Sequence, residues 1–136
     1  MTNSPAFIGA LLLASAACSD PTAISECHGQ VQIAVTPGAT PVYNWTPACR
    51  VGYLVVVDRG DQGLGFWSVS SAVVKNDIAP PVTHGVVPAG ATEDAGTQPL
   101  QPDGAYLVMV FLVEQNAGGQ FVTTKAGEQA FNQPAN

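Results

Sequence analysis

Two runs constrain this chain more than anything else in it: Val51 to Asp58 (VGYLVVVD) and Ala105 to Glu114 (AYLVMVFLVE). Both are dense in β-branched and apolar side chains, which are stiff at χ1 and suit a pleated surface. Both are apolar on their two faces, which predicts central strands. The chain as a whole excludes long helices. Its 14 Gly and 11 Pro leave no long stretch of helix formers, because Pro removes a backbone donor and Gly gives up the most backbone entropy on ordering.

Shorter strands follow from periodicity. Gln30 to Thr36 alternates, with Val31, Ile33 and Val35 on one face, and Pro37-Gly38 breaks it. Val42 to Thr46 sets Tyr43 and Trp45 on one side, and Pro47 ends it. Arg59 to Gly65 is a Gly-rich turn and Phe66 to Ser71 a fourth strand. Asp77 to Ala91, with Pro80, Pro81, Pro88, Gly85 and Gly90, admits only a short edge strand around Val82 to Val87. Ala91 to Thr97 reads as a polar loop. Asn116-Ala117-Gly118-Gly119 is a hairpin turn, after which Gln120 to Lys125 and Glu128 to Phe131 close the sheet. About seven short strands with turns between them predict an all-β fold, a single antiparallel β-sandwich over residues 29–131 with a polar tail at 132–136.

Charge narrows the function classes. Charged residues are 10% of the chain and the net charge is −6. The basic residues Arg50, Arg59, Lys75 and Lys125 are scattered, whereas a nucleic-acid surface needs them clustered. Attraction to anionic lipid is disfavoured too. Nucleophilic catalysis needs a Ser or Cys beside an oriented His. Only His28 and His84 are present, both in turn-like contexts, and no G-x-S-x-G elbow accompanies them. Asp58, Asp61, Glu93, Asp94 and Asp103 lack calcium-loop spacing. The expectation is a non-enzyme with no metal and no cofactor. Arg59-Gly60-Asp61 spells the integrin tripeptide, which the Gly turn also explains. Phe66-Trp67 is a candidate contact surface: neighbours on a strand point to opposite faces, so one ring is core and the other is left outside. Covering a sheet edge is the alternative role for that outer ring.

The N-terminus speaks to location. Ala6 to Ala17 matches a signal core of roughly 7–15 apolar residues and falls short of the ~20 that a spanning helix needs. Residues 1–17 are therefore a signal or a short apolar N-terminal helix. Ser15-Ala16-Ala17-Cys18 resembles the lipobox of bacterial lipoproteins, with Ser15 where that family usually has Leu. Met1 to Gly9 also lacks the usual Lys or Arg. The resemblance implies lipid attachment at Cys18, a tether over 18–28 and export to the cell envelope, facing the periplasm or the cell surface. Simple secretion and a retained N-terminus are the other fates. Of the three cysteines, lipidation of Cys18 leaves Cys27 and Cys49 to pair, as an oxidising compartment permits. Closing that loop contributes about 3 kcal/mol in the chain-entropy model. The rival reading, a metal or catalytic thiol at Cys27-His28, has no second ligand at suitable spacing.

Leu100, Pro102, Tyr106, Val108 and Val110 fall at the spacings of the "tyrosine corner" and resemble the E–F region of fibronectin type III domains. Trp45 and Tyr53 resemble that family's B-strand Trp and C-strand Tyr. The Pro-rich stretch Ala79 to Ala91 and the Cys27–Cys49 pair depart from the family. The resemblance implies a fibronectin-III-like or immunoglobulin-like sandwich with Trp45, Tyr53, Leu100, Pro102 and Tyr106 as structural core. In such a fold the first two strands are antiparallel, so Cys27 and Cys49 meet at one pole. The tether, the Ala48 to Gly52 loop and the Asn116 to Gly119 hairpin share that pole, and the C-terminus faces away.

Two functions are expected. One is a structural or protein-binding module anchored at the membrane, for example an accessory subunit on the periplasmic face of a respiratory or photosynthetic complex. The other is a free-standing surface lipoprotein that binds a carbohydrate or peptide through its loops.

Overall fold

The computed structural model describes residues 24–60 and 65–135. The apolar run before Cys18, Cys18 itself and Asp61 lie outside the described residues. Eight strands are formed: β1 (Gln32–Thr36), β2 (Val42–Thr46), β3 (Tyr53–Asp58), β4 (Gly65–Ser71), β5 (Val82–Thr83), β6 (Ala91–Ala95), β7 (Ala105–Gln115) and β8 (Phe121–Asn132). Among the described residues there is no helix. The strands make a small sheet, β1-β2-β5, and a large sheet, β6-β4-β3-β7-β8. All strand pairs are antiparallel. The two sheets pack face to face as an all-β sandwich.

Alternation decides what fills the space between them. Ile33, Tyr43 and Trp45 come from the small sheet, and Leu54, Val56, Trp67, Val69, Tyr106, Val108 and Val110 from the large one; all are buried. The two central strands of the large sheet are the two runs that dominate the sequence, and they pair along their length from Tyr53↔Phe111 to Asp58↔Tyr106. Down one side the sandwich is seamed: the Val31 N–H donates to the Ala126 carbonyl at 2.8 Å. A β-bulge in β8 interrupts the β7 register between Val110 and Phe111. It brings Gly127 so close to β1 that a Cβ there would lie 2.7 Å from the Val31 carbonyl oxygen.

Several expectations are corrected. Ala91 to Ala95 is an edge strand, not a loop. Its polar side chains pair with the sheet instead of merely facing water: Asp94 accepts from Ser70 Oγ at 2.9 Å and Glu93 accepts from the Trp67 indole at 2.8 Å. Charged side chains also blunt a sheet edge against other chains. The strand at Val82 is only two residues long, because Gly85 turns the chain at φ 79°. Packing also continues past Phe131. Gln133 is buried, and its side-chain amide donates to the Gly38 carbonyl at 2.7 Å.

Cys27 and Cys49 form a disulfide with their Cα atoms 4.8 Å apart. They sit where antiparallel β1 and β2 return to one pole. Beside them Ser25 to Cys27 lies parallel to Arg50, with the Cys27 N–H donating to the Arg50 carbonyl at 2.9 Å. The described chain therefore starts at the same end as the β7–β8 turn, and its C-terminus lies at the other end, where Asn132 pairs with Ala105.

Candidate functional site

The two central strands of the large sheet, β3 and β7, are apolar on both faces, and among the described residues only one of these faces packs against the other sheet. On the core side stand Leu54, Val56, Val108 and Val110. The register sets Tyr53, Val55 and Val57 on the opposite side, beside Leu107, Met109 and Phe111 of β7. An antiparallel sheet normally turns a polar face to water. Here the outer face is a continuous column of large, mostly half-buried apolar side chains, centred on the Tyr53–Phe111 ring pair at 5.7 Å. Among the described residues no further layer lies over it.

At the end nearest the chain start the column opens into a groove of about 500 Å³, lined by Gly52, Tyr53, Ser70, Val73, Val74, Phe111, Val113 and Thr123 among others. Among the described residues no charged side chain lines it, and its polar side chains are the hydroxyl-bearing Tyr53, Ser70, Ser71 and Thr123. One wall is the Ala72 to Lys75 loop. The hairpin of β7 and β8 makes the other.

Asn76 fixes that loop. β3 stops pairing with β7 at Tyr53, and the Gly52 N–H adds one last bond to the Phe111 carbonyl at 2.9 Å. Beyond it Val113 has no β3 residue opposite. The Asn76 side chain takes that place. Its Nδ2 donates to the Val113 carbonyl at 3.1 Å and its Oδ1 accepts from the Val113 N–H at 2.8 Å. The Asn76 backbone N–H reaches Glu26 Oε1 at 3.4 Å. Arg50 and Lys75 both pair with the Asp77 carboxylate, at 3.1 and 3.3 Å. One buried asparagine, through its side chain and its backbone N–H, thus joins the start of the described chain, the groove wall and the hairpin.

The residues singled out from sequence are distributed as follows. Trp45 and Tyr106 are core. The Trp45 indole donates to the Cys49 carbonyl at 2.7 Å, and the Tyr106 hydroxyl accepts from the Gln101 N–H at 2.7 Å. Leu100 packs at the core margin. Tyr53 is not core: Leu54 and Val56 take the inward positions of β3, so Tyr53 faces out onto Phe111. Pro102 is exposed and serves the turn between Gln101 and Gly104. Phe66 and Trp67 do not divide between faces. A bulge makes Val56 pair with Trp67 but Val57 with Gly65, which leaves Phe66 as the extra residue. The bulge breaks the alternation and turns Phe66 onto Tyr106, ring centroids 5.1 Å apart, while Trp67 is fully buried. The outward aromatic expected there is found instead at Tyr53 and Phe111.

His84 is buried between Tyr43 and Trp67. Its Nδ1 lies 2.9 Å from the Tyr43 hydroxyl and its Nε2 3.3 Å from the Gln98 carbonyl. A carbonyl only accepts, so Nε2 carries the proton and Nδ1 takes the Tyr43 hydrogen. Burial lowers the His84 pKa, with the Gln98 bond opposing it, and burial raises that of Tyr43. On the β6 edge, the Thr97 hydroxyl and then the Trp67 indole lower the pKa of Glu93. These groups close polar gaps in the packing and face no cleft. Among the described residues no group of three or more His, Cys, Asp or Glu side chains is placed to hold a metal ion.

The groove and Asn76 escaped the sequence reading, since Val73 to Asn76 looks like an ordinary turn. The outer face did leave a signal: both long runs are apolar on the two faces, more than an antiparallel sandwich needs.

Comparison with protein-family models, curated proteins and solved structures finds no match to this chain.

Proposed function

We propose that the chain is a non-catalytic module of the cell envelope, exported and held at a membrane through a lipid on Cys18. Its role is to bind a protein, as an accessory subunit of a larger membrane assembly. The observation that carries this reading is the apolar column on the large sheet, over which no further layer lies among the described residues. Seven large apolar residues, Tyr53, Val55, Val57, Leu107, Met109, Phe111 and Val113, form one patch, and patches of this kind mark protein contacts.

The occupant is the extramembrane part of a membrane-protein subunit. The groove end of the patch is also the end from which the tether leads, which favours a partner standing on the same membrane. An uncharged lining suits an apolar protein surface. A carbohydrate needs a set of convergent polar groups. The groove offers four hydroxyls, of which those of Ser70 and Ser71 are already bonded to Asp94 and the Asp77 N–H, so the ligand-binding alternative is the weaker reading. The domain is read as fibronectin-III-like or immunoglobulin-like. The Tyr106 bond to upstream backbone supports this, as does the neighbouring of β3, β7 and β8, the order of strands C, F and G in that architecture. The position of β6, which follows β5 yet pairs with β4, departs from it.

The test is to extract the protein from its native membrane in mild detergent, and to repeat this with Phe111→Ser and Val86→Ser. A stoichiometric complex that survives Val86→Ser and is lost with Phe111→Ser is expected. A complex indifferent to Phe111→Ser, or a lone small particle from the native chain, overturns the reading.

A further inference from the structure

We infer that the tether end of the sandwich is a membrane-resting surface, where Val73, Val74, Phe121 and Val122 enter the lipid interface. This rests on the proposal that Cys18 is lipidated. These four are exposed by 53, 61, 57 and 41% respectively. They come from two separate elements, the Ala72 to Lys75 loop and the β7–β8 hairpin, which flank the groove at its mouth. Glu26 accepts from the Asn76 N–H, so the described chain begins beside the Ala72 to Lys75 loop.

Reach decides which end faces the bilayer. Cys18 precedes Ile24 by six residues, a span of at most roughly 20 Å. β7 alone has 11 residues, about 37 Å of antiparallel strand. A lipid on Cys18 therefore holds the groove end near the bilayer and cannot reach past the far end. The chemistry at that end agrees. Aromatic and aliphatic side chains settle at the headgroup boundary, and the turn beyond Phe121, Asn116 to Gln120, is small, polar and uncharged. Glu114 and Lys75 beside the patch are exposed and stay solvated among the headgroups. With few cations at this end, the surface suits zwitterionic lipid. The large sheet then stands upright, with its apolar column open sideways to a neighbour in the membrane.

The experiment reconstitutes the full lipidated chain into phosphatidylcholine vesicles with brominated acyl chains, which quench nearby indoles. The native Trp45 and Trp67 are 2 and 0% exposed and give a constant background. Phe121→Trp and Val74→Trp place probes on the two elements at the tether end, and Met109→Trp places one on the sheet face. Loss of most of the added emission for Phe121→Trp and Val74→Trp, with Met109→Trp unquenched, is expected. On vesicle-bound protein, unquenched Phe121→Trp and Val74→Trp overturn the membrane-resting surface alone. Quenching of Met109→Trp to the same extent does so too, since the sheet then lies flat. Protein that does not bind the vesicles overturns the lipid anchor and this inference with it.

Discussion

Tyr106 and His84 are both buried and both hydrogen-bonded, yet only one could be foreseen. Tyr106 declares itself through the spacing Leu100, Pro102, Tyr106, and its hydroxyl accepts from Gln101 as that spacing implies. Tyr106→Phe removes this acceptor and is expected to cost about 1 kcal/mol, read from the shift of the urea midpoint. His84 sits among prolines and glycines and reads as a surface loop. Its burial depends on β2 and β4, remote in sequence, closing over it with Tyr43 and Trp67. Burial holds the folded pKa below the ordinary histidine value of 6.5. The unfolded chain thus takes up the proton first, so the contribution to stability is full above that value and is lost as pH falls from it toward the lower folded value. Urea midpoints measured at about pH 8 and about pH 5 should fall for the native chain, and the fall should shrink in His84→Gln.

The elements legible in the sequence are those whose pattern is local. β1, β2, β3 and β7 carry their own alternation or density of β-branched residues, and all four lie where the periodicity sets them. β6 was not legible, because Glu93 and Asp94 are poor strand formers and pair only because the β4 edge is there to receive them. The bulge at Phe66 is likewise a property of two strands and leaves no trace in either one. Asn76 is the extreme case, a single side chain acting as a strand segment. Asn76→Ala leaves the N–H and C=O of Val113 without their partner and is expected to cost about 2–3 kcal/mol in urea denaturation, with the groove wall loosened. In the seam, Gly127→Ala drives a Cβ into backbone that cannot step aside. A loss of about 1–3 kcal/mol is expected from the same measurement.

At the scale of the whole molecule, the sandwich class was legible because several short strands with frequent turns admit few other architectures. The candidate site was legible only as surplus: more apolar surface on β3 and β7 than one core consumes. Which face would be left bare depends on how many strands join each sheet. The disulfide follows from the cysteine count, and the antiparallel first strands that the resemblance implies agree with it independently. Replacing both Cys27 and Cys49 by Ala is expected to cost about 3 kcal/mol in the same denaturation measurement, since the unfolded loop regains its freedom.

That disulfide also bears on load. Tension applied at Ile24 by an anchor reaches Cys27 and crosses directly to Cys49. Residues 28–48, which hold all of β1 and β2, are bypassed and carry none of it. The force is delivered instead to Val51 and β3, in the middle of the large sheet. If the chain is anchored and bound as proposed, a partner on the face of that sheet is coupled to the anchor by a short mechanical path that leaves the small sheet slack. Reduction would reroute the pull through β1, peeling it from β2 one residue pair at a time.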